Sequence, residues 1–291
     1  MNEIRRNTWP VAAVVLVILV LWYIFSIILN APWAHDQAKR ADRVLSFGEL
    51  VDETWSQDKP RLPAPHQVVV ELYDTIANKK PSSPRSLIYH AKRTLSATAL
   101  GFLFGTTLGI MLAVGIVHSR SMNASVMPWM IASQTIPILA IAPMVVVVLN
   151  SVGVTGLIPK SIISTYLCFF PVAVGMVKGL RSPSAIQLDQ MRTWNASASQ
   201  TFWKLRWPSS MPYLFTSLKV GVAASLVGAI VAELPINQEG GLGARLLTGS
   251  YYGQTIQIWS ALFMAAILAA VLVGIVGIIQ QKTLRRMGLR A

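Results

Sequence analysis

The stretch closest to a phosphate-binding loop is GVTGLIPKS, residues 153–161. Such a loop cradles phosphate on the backbone N–H groups of glycines that run directly into a lysine and a serine or threonine. Here Pro159 stands where the glycine before Lys160 must be, and proline has no N–H to offer. The sequence contains no HExxH and no GxSxG, and His35, His66, His90 and His118 are scattered. Cys168 is the single cysteine, so neither a disulfide framework nor a thiolate metal set can be built. No catalytic, cofactor-binding or metal-binding residue follows from the chain. What remains is a carboxylate, Glu233, at the end of an apolar stretch, and a glutamine, Gln134, among prolines. Acidic groups within membrane spans are costly and mark function. Glu233 reads either as a wetted carboxylate on an external vestibule or as a group in gating or solute passage.

The elements that must position these residues are apolar blocks. The chain has 291 residues, 53% hydrophobic and 13% charged, so a membrane protein is expected rather than a soluble domain. Its net charge of +13 does not point to nucleic acid, because the basic residues flank the apolar blocks. Residues 11–29 are an uncharged run of 19 behind Arg5 and Arg6. The run exceeds the apolar core of a signal peptide and no small-residue cleavage site follows, so it reads as a retained first helix. Further spans are expected over residues 95–117, 125–149, 157–177, 213–234 and 256–279. The fold class is all-α and polytopic, with six transmembrane helices: residues 1–30 hold a cytoplasmic N-terminus and the first span, 31–86 an external segment, 87–285 the core with five spans, and 286–291 a cytoplasmic tail. Within the external segment, residues 66–78 read as a short amphipathic helix.

Two spans carry a pattern. The second has Ala97, Gly101, Gly105, Gly109 and Ala113 at four-residue spacing, a line of small residues that admits another helix closely. The third has Pro128, Pro137 and Pro143, with Gln134 and Thr135 just before the middle one. Proline frees carbonyls, so a broken helix lining a cavity is expected there.

Between the fourth and fifth spans lies a polar interlude, residues 182–212. It reads as two short helices. Ser182–Pro183 starts the first, and Ser197 with Gln200 forms a capping box for the second. Asn195, which enters the left-handed region cheaply, makes the turn, and Pro208 is expected to stop the second helix. Phe202 and Trp203 offer large apolar surfaces for a partner's pocket.

Asp189, Gln190 and Met191, then Asn195 six residues after Asp189, then Pro208 thirteen further on, resemble the EAA loop of ABC importer permeases. Asp, Gln-Met and Asn stand here for that pattern's Glu, Ala-Ala and Gly. Residues 62–65 (LPAP), 134–143 (QTIPILAIAP), and Val231-Ala232-Glu233 followed by Gly241-Leu242-Gly243 resemble the nitrate, sulfonate, taurine and thiamine- or riboflavin-precursor branch. The resemblance covers roughly residues 62–285 and implies a type I importer permease fold. It further implies a homodimer in the lipid bilayer, two ATPase subunits bearing ATP–Mg, and a periplasmic solute-binding protein, with no nucleic acid. Asp189, Gln190, Met191, Asn195, Phe202, Trp203 and Pro208 would couple to the ATPase. Gln134, Pro137, Pro143 and Glu233 would line the pathway. The other class left open is a membrane enzyme or scaffold that recruits a non-ATPase partner through the inner hairpin.

Orientation follows from counting. Twelve bases fall in short segments assigned to the cytoplasm: Arg5, Arg6, Arg120, Lys178, Arg181, Arg192, Lys204, Arg206, Lys282, Arg285, Arg286 and Arg290. Only Lys160 and Arg245 fall in short external loops. Both termini and residues 182–212 therefore face inward. A cysteine placed at Ser199 is expected to react only with a reagent on the cytoplasmic side, and one at Ser56 only from outside; labelling of both from one side would overturn the six-span topology.

Overall fold

The computed structural model describes residues 2–235 and 240–288, with side chains from residue 9 onward. Residues 236–239 and 289–291, with Arg290, lie outside the described set. The described residues form helices and connecting turns with no strand: α1 (Asn2–Arg40), α2 (Phe47–Trp55), α3 (Pro65–Tyr73), α4 (Leu87–His118), α5 (Arg120–Ser133), α6 (Ile138–Ser151), α7 (Leu157–Leu180), α8 (Ala185–Thr193), α9 (Ala198–Thr201), α10 (Trp207–Glu233), α11 (Leu242–Tyr251) and α12 (Thr255–Arg286). Five helices are long and apolar enough to cross a membrane. α5 and α6 make a sixth candidate, bent by 97° at the break between them. Of the three prolines in this pair, only Pro137 sits at the break, as the residue before α6; Pro128 and Pro143 are accommodated inside their helices.

The chain divides into two compact units. In the one made of Met1–Tyr89 and Arg245–Met264, α1 runs ten residues past the polar boundary placed at residue 30. Hydropathy marks the part of a helix that lipid surrounds, not its end, and Ala, Gln, Lys and Arg near its C-terminus are good helix formers. Asn30, at the boundary with the expected external segment, is fully buried. Its amide Nδ2 donates to Leu62 O at 2.8 Å, while its Oδ1 accepts from Arg61 N–H at 2.8 Å and Leu62 N–H at 3.3 Å. One side chain thereby satisfies the backbone of the segment entering α3. Trp22 Nε1 donates to Pro63 O at 2.9 Å beside the rings of Trp259 and Phe263. The short helix expected over residues 66–78 forms as α3 with Pro65 in its first turn, continued by one π-helical turn, Asp74–Asn78.

The unit made of His90–Ala244 and Ala265–Ala291 is organised on α7, half of whose residues are buried. The small residues of α4 face it. A Cβ on Gly101 would stand 2.2 Å from Ser164 Oγ, one on Gly105 2.6 Å from Cys168 Cβ, and one on Gly109 2.8 Å from Phe169 O. On the other side a Cβ added to Gly228 of α10 would stand 2.8 Å from Ser164 Cα, and one on Gly175 of α7 2.5 Å from Ser217 Cβ of α10. A hydroxyl seam crosses all three helices: Ser164 and Ser225 hydroxyls lie 2.6 Å apart, and Ser225 Oγ donates to Thr98 O at 2.9 Å. The line of small residues is thus a packing face.

Overfilling such a contact costs about 1–3 kcal/mol. Gly105→Val is expected to lower the yield and thermal midpoint of folded protein in detergent. Gly274→Ala, at a position with no neighbouring atom within 4 Å of the added Cβ, is expected to leave both unchanged, and equal behaviour of the two would refute the close approach.

Candidate functional site

The polar interlude folds as two helices joined at Asn195, with one shift and one correction. The first helix, α8, begins two residues later than expected: Ser184, not Ser182, caps it, in a capping box with Gln187. Asn195 takes φ +49°, in the left-handed region, and Ala196 N–H reaches back to Met191 O at 3.0 Å, closing the helix as a Schellman turn. Ser197 caps the next helix with Gln200, whose N–H donates to Ser197 Oγ at 3.2 Å while Ser197 N–H donates to Gln200 Oε1 at 2.8 Å.

Pro208 does not stop this second helix. α9 widens into a π-helical turn, Phe202–Arg206, in which Trp207 N–H bonds Phe202 O, and α10 follows directly with Pro208 in its first turn. Residues Ala198–Glu233 form one 36-residue helix. Phe202 is corrected as well: it is not a surface anchor. It is 9% exposed, its ring 5.2 Å from His118 and 5.9 Å from Trp207, in the core cluster that includes Met176, Leu180 and Leu284. Trp203, one residue on, packs one edge on the Phe202 ring at 5.0 Å but is 60% exposed.

Trp194 and Ile186, 66% and 80% exposed, join Trp203 as bare apolar side chains on this loop; neither stands out in the sequence by motif or spacing. Asp189 and Gln190 are exposed and Met191 half-buried; Asp189 pairs with Arg192 at 2.9 Å. The loop is braced to the spans by Arg206 Nη1 donating to Leu180 O at 3.0 Å and Arg181 Nη2 donating to Asn123 Oδ1 at 2.9 Å.

Of the residues expected along the pathway, Gln134, Pro137 and Pro143 lie at or near the α5–α6 bend, the glutamine half-buried and both prolines exposed. Near them Tyr166 OH donates to Ser133 O. Glu233 lies elsewhere, at the far end of α10. It is not wetted: its carboxylate is fully buried. Thr94 Oγ1 of α4 lies 2.9 Å from both its oxygens, and Gly243 N–H donates to Oε2 at 2.9 Å. Thr94 Oγ1 in turn accepts from Leu242 N–H at 2.9 Å, His90 Nδ1 accepts from Gly241 N–H at 3.0 Å, and buried Lys160 donates to Gly240 O at 3.2 Å. The Gly-Leu-Gly motif is therefore the N-terminus of α11, whose free N–H groups meet a carboxylate, a hydroxyl and an imidazole. Gly241 has φ +131°, and a Cβ there would stand 2.1 Å from the Glu233 carboxylate carbon, so glycine is required. His90 and Thr94 were missed because neither has a motif of its own; they precede the small-residue line of α4 by two turns and one turn. The loop residues 236–239 between the two motifs lie outside the described residues.

Residues 105–288 match the model of the family described as binding-protein-dependent transport system inner membrane component. A probable ABC transporter permease of Haemophilus influenzae is 30% identical over 175 residues, 60% of this chain and 69% of that protein. The formylaminopyrimidine transport permease of Halalkalibacterium halodurans is 28% identical over 208 residues, 71% of this chain and 78% of that one. A nitrate import permease of Synechocystis is 27% identical over 228 residues, 77% and 78% of the two chains. With well over half its length matched and a bundle of membrane-length helices to carry the match, the chain belongs to the binding-protein-dependent transport system inner membrane components, the multi-pass permease subunits of ABC importers.

Proposed function

We propose that this chain is the translocation subunit of an ATP-driven importer for a small organic or oxyanion solute. In this reading it acts as a homodimer in the inner membrane of a bacterial cell, with both termini and residues 182–212 in the cytoplasm. Two ATPase subunits bind there and carry ATP–Mg, and this chain binds no cofactor. A periplasmic binding protein delivers the solute. Formylaminopyrimidine and nitrate in the names of its relatives support a small polar cargo.

The observation that carries the reading is the display of Ile186, Trp194 and Trp203 on a loop outside the spans. Exposed aromatic and aliphatic anchors rimmed by polar groups, here Asp189 and Gln190, are what a partner's groove covers. The corrected geometry adds a transmission path. Because Pro208 leaves the helix intact, α9 and α10 form one rod, about 54 Å long at 1.5 Å per residue. A displacement imposed on α9 by ATPase closure reaches Glu233 without crossing a joint, and the spans switch between inward- and outward-open arrangements.

Truncating an aromatic anchor costs about 2 kcal/mol or more in affinity, and a β-branched residue at the Asn195 φ about 1–2 kcal/mol. Trp203→Ala and Asn195→Val are expected to leave the permease in the membrane but release the ATPase on detergent extraction, whereas Asn195→Gly retains it. Full ATPase retention and transport in both variants would sink the coupling assignment. Phe202→Ala is expected instead to reduce the folded permease itself.

For the pathway, Gln134→Leu is expected to lower transport in reconstituted vesicles at an unchanged amount of folded complex. Loss of the protein would mean that Gln134 packs rather than lines.

A further inference from the structure

In the unit formed by Met1–Tyr89 and Arg245–Met264, the end of α3, the π-helical turn after it, α11 and the start of α12 wall a cleft of about 550 Å3. That is within the range of about 300–1,000 Å3 for small-solute sites. Lys79, Arg85 and Arg245 contribute three cations to its wall, Glu71 and Asp74 two carboxylates. Asp74 is neutralised locally: Asn78 Nδ2 donates to its Oδ1 at 2.9 Å and Lys79 Nζ stands 3.0 Å from its Oδ2. These two partners hold its carboxyl below the usual range. With that pair set aside, Arg85 and Arg245 face Glu71, two cations to one carboxylate, a net charge of +1.

Two wall residues also carry buried polar atoms with no partner, the donor Arg245 Nε and the acceptor Gln257 Oε1. Unmatched buried groups are rare and each calls for an explanation. Here one wants an acceptor and the other a donor, beside a net positive charge. Burial pulls the Arg245 guanidinium down against the opposing pull of Glu71, so an anion reaching it meets a partly desolvated cation, where charge-assisted hydrogen bonds are strongest.

We propose that this cleft is a solute subsite on the permease itself, taking a small organic anion that also carries a hydroxyl or amino donor. The anionic group meets Arg245 and Arg85, and the donor meets Gln257 Oε1. The inference rests on the importer reading and deepens it: the permease makes a selective contact of its own, on the side that the basic-residue count assigns to the outside.

The test uses the purified permease–ATPase complex in lipid nanodiscs, with no binding protein present. Titration calorimetry compares 2-hydroxyethanesulfonate and 3-hydroxypropanesulfonate with ethanesulfonate, which lacks the donor. Both donor-bearing anions are expected to bind, with ethanesulfonate about tenfold weaker because it leaves the Gln257 oxygen unmatched. Arg245→Gln is expected to weaken all three by more than tenfold. Gln257→Leu is expected to reduce the two donor-bearing anions to the level of ethanesulfonate while leaving ethanesulfonate unchanged. Absence of binding by either donor-bearing anion, equal affinity for all three, or binding that survives both substitutions overturns the assignment. An acidic side chain of the binding protein offers the same anionic chemistry. If free anions do not bind but Arg245→Gln weakens capture of the binding protein, the solute reading falls. A complex that retains its ATPase with a silent cleft refutes this inference alone; a permease that never co-purifies with an ATPase refutes the importer reading.

Discussion

The near-contact of α4, α7 and α10 backbones is the constraint on which the membrane part of this protein depends. Lipid tails are as apolar as leucine, so burying apolar side chains between spans yields little, and association has to come from dispersion and hydrogen bonds at close range. Glycines on α4 and α10 bring their backbones against Ser164, Cys168 and Phe169 of α7. Only at that separation can the Ser164, Ser225 and Thr98 groups satisfy one another across three helices. The outcome is a block in which one helix cannot shift without its neighbours, because packed interfaces are bistable rather than continuously deformable.

What the sequence made legible was what short-range chemistry decides. The small-residue line of α4 could be read from spacing because every fourth residue returns to the same helix face. Asn195 could be read because a turn between two capped helices needs a residue that tolerates positive φ, and Ser197–Gln200 because a capping box is complete within four residues. Pro208 could not. A proline ring clashes with the carbonyl four residues back in a regular helix, but the π-helical turn before it carries one extra residue and moves that carbonyl away. Nothing in FWKLRWP announces the widening. Phe202 and Trp203 are equally apolar in the sequence, yet consecutive helical residues point about 100° apart, and only the fold decides which one enters the core.

Glu233 shows the other limit. Its position near the end of a span suggested water, since a carboxylate in a dry site is expensive. The groups that make burial tolerable are Thr94, 139 residues away in sequence, and Gly243, ten residues on. The Gly-Leu-Gly motif was visible, but its role as the N–H-bearing start of a helix that closes on that carboxylate became visible only when α4, α10 and α11 were placed together.

The continuity of the helix through Pro208 and the burial of Glu233 bear on one another. Had Pro208 ended the second helix of the loop, a force on that loop would have had to pass through a flexible joint before reaching the span that ends at Glu233. The helix is continuous instead, so one end carries the exposed Trp203 and the other the carboxylate that holds the N-terminus of α11. The π-helical turn sits near the Trp203 end, where the ring of His118 on α4 packs against Phe202. α4 therefore touches the rod at both ends, through His118 at one and through Thr94 at the other. A rod clamped at two points along the same neighbour can rotate or slide with it but cannot bend freely between them. Residues 198–212 and the Glu233 network are thereby two ends of one continuous helix, which its glycine contacts hold against α7.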